Sequence, residues 1–277
     1  MRKILIAAVS TVAVAALALP GVSEAAAGRL DACRGSGPKV TVVLVHGAWA
    51  DTSSWSGEVS RLQKAGCQVR SIANPVENLT TDSQYVADFL KSVKGPVVLA
   101  GHSYGGSVIT NASALVDNVK ALVYVDAAAP AVGETNGSLS GADSILSTLP
   151  ASQLFDTTSY PGAPAGQQEL YLKENIFVNH FGSSLPKQQA RLLWAAQRGA
   201  STEAFGTPSK YAGWKTIPSW YFISSGDQII TPTSERAMAK RAKSKVTVYQ
   251  GGSHLTLISD PQPVTDVIVA AIRSVRR

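Results

Sequence analysis

The feature that most constrains this chain is a junction. The apolar run Val97-Val98-Leu99-Ala100 enters Gly101-His102-Ser103-Tyr104-Gly105-Gly106 and leaves into a small-residue helical segment, Ser107 to Leu115. A strand that turns sharply into a helix reads as half of a βαβ unit, with the serine at the carboxyl edge of a parallel sheet. The same alternation recurs on both sides. Val40 to Val45 is a β-branched run ending at His46-Gly47, and Ser54 to Ala65 carries Trp55, Val59 and Leu62 on one helical stripe, with Gly66 as its stop. Gln68 to Ile72, Ala121 to Val125, Ser219 to Ile223 and Val246 to Tyr249 read as further strands. Thr81 to Val93 (with Asp82 as cap), Thr233 to Lys243 and Pro263 to Val275 read as helices. The fold class is α/β, a mostly parallel sheet flanked by helices.

The alternation lapses between Pro130 and about Gly213. Gly, Ser, Thr and Pro dominate from Gly133 to Gly166, and two amphipathic segments follow, Gln168 to Phe181 and Lys187 to Gln197. So long a stretch without structure would be unusual, so it reads as a helical cap inserted at about 131–213. The remaining apolar content suits one core, and residues 28–277 are expected to form a single domain.

Residues 1–27 have the layout of a secretory signal peptide. Arg2-Lys3 precedes an apolar run from Ile4 to Leu19, Pro20-Gly21 breaks it, and small residues around Ala25 and Ala27 offer cleavage sites. The run is shorter than the roughly 20 residues a membrane span needs. Leu30-Asp31-Ala32-Cys33 loosely resembles a lipidation box but stands too far from that run. The expectation is a secreted, periplasmic or extracellular protein without stable membrane association. The whole chain has a formal net charge of +6, and losing Arg2, Lys3 and Glu24 with the leader lowers it by one. The basic residues left are dispersed apart from Arg273, Arg276 and Arg277, which a solvated last helix explains better than nucleic acid. Export also lets the two cysteines, Cys33 and Cys67, form a disulfide.

A serine hydroxyl needs a base to become a nucleophile, and four histidines are available. His102 adjoins Ser103 and should point away from it, His46 ends the first strand, and His180 lies in the cap. His254 follows the last strand after Gly251-Gly252-Ser253, a position that suits a general base. The base needs a carboxylate. Asp227, just beyond the strand Trp220 to Ile223, is preferred over Asp126, which also ends a strand, and over Asp260, which starts the last helix. The amides of Ala48 and Tyr104 are the expected oxyanion donors. Trp49 and Trp194 are candidate substrate contacts; Trp55 is assigned to the core, and Tyr171 and Phe177 to cap packing as readily as to substrate.

Val42-Val43-Leu44-Val45-His46-Gly47-Ala48, the Ser103 motif, Gly226-Asp227-Gln228-Ile229-Ile230-Thr231-Pro232 and Gly251-Gly252-Ser253-His254 together resemble the α/β-hydrolase superfamily, in the chain order Ser…Asp…His. Gly251 to Gln262 and the capped middle are similar to small esterases of the methylesterase and hydroxynitrile lyase-like group. The resemblance implies a triad of Ser103, Asp227 and His254 with oxyanion donors Ala48 and Tyr104. The lyase branch carries a threonine where this chain has Gly47 and a lysine where it has Leu255, so ester hydrolysis is favoured over cyanohydrin cleavage.

The expectation is a secreted serine carboxylesterase that cleaves small-molecule esters through an acyl-enzyme on Ser103. Lyase-like or cofactor-free perhydrolase activity, and a non-catalytic small-ligand binder, are the alternatives. No metal is expected, because no His/Cys/Asp cluster has ligand spacing, and no organic cofactor, because Gly101 to Gly106 lacks the dinucleotide-loop pattern. No nucleic-acid partner is expected.

Overall fold

The computed structural model describes residues 32–34 and 37–276, so the expected leader lies outside the described residues. Its first half runs β1 (Thr41–Val45), α1 (Ser56–Lys64), β2 (Gln68–Ile72), α2 (Leu79–Ser92), β3 (Val97–Ser103), α3 (Tyr104–Ala112) and β4 (Val119–Ala127). An excursion follows with β5 (Phe155–Thr158), β6 (Glu169–Leu172), α4 (Lys187–Ala195) and β7 (Ala200–Ser201). The chain then returns through β8 (Ser219–Ser224), α5 (Pro232–Arg241), β9 (Lys245–Tyr249) and α6 (Pro261–Arg276).

The main sheet has the order β2-β1-β3-β4-β8-β9, and every neighbouring pair is parallel. Every residue of β1, β3 and β8 is buried, as expected for strands covered on both faces. β1 connects outward to β2 on one side while β3 lies on its other side. Right-handed crossovers in opposite directions put their helices on opposite faces, α1 with α6 and α2 with α3. Strand order therefore reverses between β1 and β3, and a crevice opens at their carboxyl ends, where His46 and Ser103 stand.

Three details differ from the sequence reading. Helix α2 starts earlier than expected, and its cap is Asn78, whose Oδ1 accepts the Thr80 amide at 2.9 Å. Asp82 lies one turn inside the helix, fully buried. The segment Gln168 to Phe181 is no amphipathic helix: β6 pairs antiparallel with β5 and β7, and only then does the chain form a short helical turn, Glu174–Ile176, and a π turn, Phe177–Phe181. The excursion is thus mixed in structure, because tertiary strand pairing overrode the helical period.

The two ends of the described chain are tied together. Cys33 and Cys67 form a disulfide that fastens the N-terminal arm to the end of α1. The Arg276 guanidinium donates to the carbonyls of Ala32 at 2.8 Å and Arg34 at 2.7 Å, so this residue of the basic tail holds the arm. Among the described residues no helix is long and apolar enough to cross a membrane.

Candidate active site

Ser103 is the last residue of β3 and the cap residue of α3, with φ 55° and ψ −125°. A serine at positive φ is strained, and strain of this kind persists only where the surroundings enforce it. Two glycines enforce it here. A Cβ on Gly47 would lie 2.5 Å from Ser103 Cβ, and one on Gly105 would lie 2.5 Å from the Val45 carbonyl oxygen. The strand–turn–helix junction can close against β1 only because neither residue has a side chain.

His254 lies in the loop after β9 and reaches both partners. Its Nε2 accepts from Ser103 Oγ at 2.7 Å, and its Nδ1–H donates to Asp227 Oδ2 at 2.6 Å. The other Asp227 oxygen, Oδ1, accepts the amides of Ile229 at 2.7 Å and Ile230 at 3.3 Å. Burial lowers His254 to about 3, which leaves the resting imidazole neutral and able to take a proton. Burial pushes Asp227 well up, against the smaller opposing pull of the two amides.

The other histidines take other positions. His102 Nε2–H donates to the His254 carbonyl at 2.8 Å, and its ring meets the buried Trp55 edge-on. His46 Nδ1–H donates to the Gly47 carbonyl, and its Nε2 accepts the Asn74 amide at 2.9 Å. Burial brings His46 down to about 4, so it is a neutral brace between two loops. His180 pairs with Gln228 at the cap.

Asp126, the rival acid, does not reach His254. Its oxygens engage the Ser224 amide at 2.6 Å and the Ser224 hydroxyl at 2.8 Å. Asp260 accepts the Tyr249 hydroxyl. Sequence spacing showed no metal-binding cluster, yet the fold brings carboxylate oxygens of Asp126, Asp227 and Glu235 within 4.8 Å of one another, all buried. Four of the six oxygens already have donors or hydroxyl partners, while Glu235 makes no hydrogen bond of good geometry and has only the Ala127 amide close by. That is a poor donor set for a hard cation, which wants six or more oxygens. Glu235 had no signal in the sequence, where it is one more charge on a helix.

Ala48 is buried in the loop after β1, and Tyr104, as the first residue of α3, has an amide without an intrahelical acceptor. The Tyr104 side chain points the other way, its hydroxyl donating to Asp82 Oδ2 at 2.8 Å. Oδ2 of Asp82 also accepts the Glu77 amide.

The excursion between β4 and β8 contributes an aromatic cluster beside His254. Trp49 stacks on Phe155 and Phe205 and meets Phe181 edge-to-face, and its indole donates to the Leu170 carbonyl of β6. Phe181 in turn lies 5.0 Å from the His254 ring, centroid to centroid. Ser103 itself is only 5% exposed. Beside it is a small recess of about 50 Å³, open in part to solvent, lined chiefly by Trp49, Phe177, Phe181, Leu193, Leu255 and Ile258. Trp194 is not in that lining, because its indole turns to the Leu172 carbonyl. Tyr171 bonds Glu169 instead.

A parallel sheet with a strained serine at a strand–helix turn, backed by a buried His–Asp pair, defines a hydrolase architecture. The chain belongs to the alpha/beta hydrolase family, whose profile matches residues 42–267. It is 33% identical over 122 residues to a carbendazim-hydrolyzing esterase of Nocardioides sp. (strain SG-4G), a match spanning 39% of this chain and 46% of that esterase. It is 25% identical over 251 residues to the pheophorbidase of Raphanus sativus, covering 84% of this chain and 94% of the relative. The crystal structure of polyneuridine aldehyde esterase superposes with a TM-score of 0.71 at 17% identity, covering 84% of this chain and 98% of that one. These neighbours fall in the esterase group that the sequence motifs resemble, and they support a hydrolase of esterase type.

Proposed function

We propose that the protein is a serine carboxylesterase acting on small esters with an apolar acyl group. The observation that carries this reading is the unbroken hydrogen-bond line from Ser103 Oγ through His254 to Asp227. Ser103 Oγ attacks the ester carbonyl as His254 Nε2 takes its proton, and Asp227 holds the imidazolium through Nδ1–H. The amides of Ala48 and Tyr104 receive the developing oxyanion. His254 then protonates the departing alcohol, and a water deprotonated by His254 releases the acid from Ser103. The recess beside Trp49 and Phe181 would take the acyl group, and these aromatic side chains would part to admit it.

Two contacts favour hydrolysis over cyanohydrin cleavage. Leu255 presents an apolar side chain to the recess where a departing cyanide would need a cation, and any side chain at Gly47 would strike Ser103. Under the same reading residues 1–27 are a leader removed on export, and 28–277 form one hydrolase domain with a cap at about 131–213. The Cys33–Cys67 bond suits an oxidising compartment.

The test is turnover of p-nitrophenyl esters across acyl lengths, beside Ser103→Ala and His254→Ala. The reading expects turnover by the parent and a drop of about 10³-fold or more in each variant. A parent that hydrolyses no ester overturns it, and cyanohydrin cleavage without ester hydrolysis would replace it with the lyase.

A further inference from the structure

The buried carboxylate cluster behind Asp227 contains more oxygen contacts than its hydroxyl protons can fill. Asp126 Oδ2 lies 2.8 Å from Ser224 Oγ, Ser224 Oγ lies 2.8 Å from Thr256 Oγ1, and Thr256 Oγ1 lies 2.7 Å from the Ser253 carbonyl oxygen. Three oxygen–oxygen contacts at these distances need three protons. A serine and a threonine hydroxyl supply one each. The Ser253 carbonyl has none to give, so Thr256 donates there and Ser224 donates to Thr256. The remaining contact, between Asp126 and Ser224, then has a proton only if Asp126 brings it.

We infer that Asp126 is a neutral carboxylic acid that donates to Ser224, and that it acts as a positioning residue for the loop carrying His254. The relay runs one way, from Asp126 through Ser224 and Thr256 to Ser253, the residue before His254. The Ser253 amide donates back to Thr256 Oγ1 at 3.1 Å, so both sides of that peptide unit are fixed. Asp126 itself has φ 44°, a strained backbone for a non-glycine residue, which aims its carboxyl at the β8 terminus.

The surroundings agree with a neutral Asp126. Asp227 from the β8 loop and Glu235 from α5 crowd it, and Tyr221 of β8 cannot offset them because its hydroxyl donates to the Ala127 carbonyl. Arg236, next to Glu235 in α5, is exposed. Glu235 makes no hydrogen bond of good geometry and has only the Ala127 amide close by, so an anion there is the costliest of the three to keep. Burial and the neighbouring carboxylates push both Asp126 and Glu235 well up. Burial pushes Asp227 up as well, but with one imidazole and two amide donors it is the best-supported anion of the three. Two aspartates that end adjacent strands thus divide the work, one charged against His254 and one neutral behind it.

The inference rests on the esterase reading for its effect on rate, but not for the proton on Asp126. Infrared difference spectra of the purified parent against Asp126→Asn at neutral pH should show the loss of a carboxylic-acid C=O stretch, with the carboxylate bands unchanged. Loss of carboxylate bands instead would overturn the inference even if no ester is ever turned over. In ester hydrolysis, asparagine can replace a neutral acid, donating through its amide and accepting through its oxygen. Asp126→Asn should therefore stay within about threefold of the parent in kcat, with the acid limb of its pH profile in place. Asp126→Ala and Ser224→Ala break the relay and should lose about tenfold or more in kcat with KM held. If asparagine is as damaging as alanine, or moves the acid limb by a unit, Asp126 is charged and the inference fails. Should Asp126→Ala not fold, Asp126→Asn and its spectrum still decide.

Discussion

His102 donates its Nε2–H to the backbone carbonyl of His254 across 152 residues of sequence, and the two rings lie 4.7 Å apart between centroids. The histidine next to Ser103 thus braces His254 without competing for its proton. Its role is mechanical. His102→Ala should lower kcat by about tenfold or more through a loosened His254 while KM changes little. Steady-state kinetics check this, and an equal change in kcat and KM would point to a substrate contact.

Asp82 holds the Tyr104 hydroxyl, and burial raises its carboxyl to about 6 despite that hydrogen bond and nearby amides. The native state therefore keeps a proton that the unfolded chain releases near the ordinary value of 3.8. Stability contributed by this group is present below that value and is lost as pH rises through about 6. The loss amounts to about 3 kcal/mol. Asp82→Asn has no proton to lose, so its stability relative to the parent should climb across that window and level off above it. Urea unfolding of both proteins at several pH values measures this; parallel curves would contradict it.

The disulfide spans a sequence separation of 34 residues. Closing a loop of that length restrains the unfolded chain by about 3–4 kcal/mol. The Cys33→Ser, Cys67→Ser double variant should unfold at correspondingly lower urea with kcat unchanged, since the arm lies at the amino-terminal edge of the sheet, away from Ser103.

Neighbouring residues of α4 should behave differently. Leu193 lines the recess, whereas Trp194 bonds the Leu172 carbonyl. Leu193→Ala should shift acyl-length preference toward bulkier chains by about tenfold in kcat/KM ratio. Trp194→Ala should lower stability and leave the preference alone, which an acyl-length panel on both variants reports.

What could be read from the sequence was what local pattern determines. The runs Val40 to Val45 and Val97 to Ala100 are buried on both faces, so composition alone marks them as strands. Gly47, Gly101 and Gly105 mark the sharp turn at Ser103, and with four histidines elimination could reach His254. Asp126 and Asp227 could be ranked but not separated in role, because both end strands and their difference lies in which donors the fold supplies. Asp82 was misread as a cap, since a polar residue near a helix start looks alike whether it faces solvent or Tyr104. Glu235 and Phe181 gave no signal because their partners come from other elements, and the strand β6 exists only through its pairing with β5 and β7.

The central claim is that Ser103 carries the acyl group. Rapid-quench mass spectrometry of the parent with a p-nitrophenyl ester measures this most directly. The account predicts a burst of p-nitrophenolate near one equivalent and an acyl adduct on the peptide containing Ser103, both absent in Ser103→Ala. Undiminished turnover by Ser103→Ala, or an adduct on another residue, would contradict it.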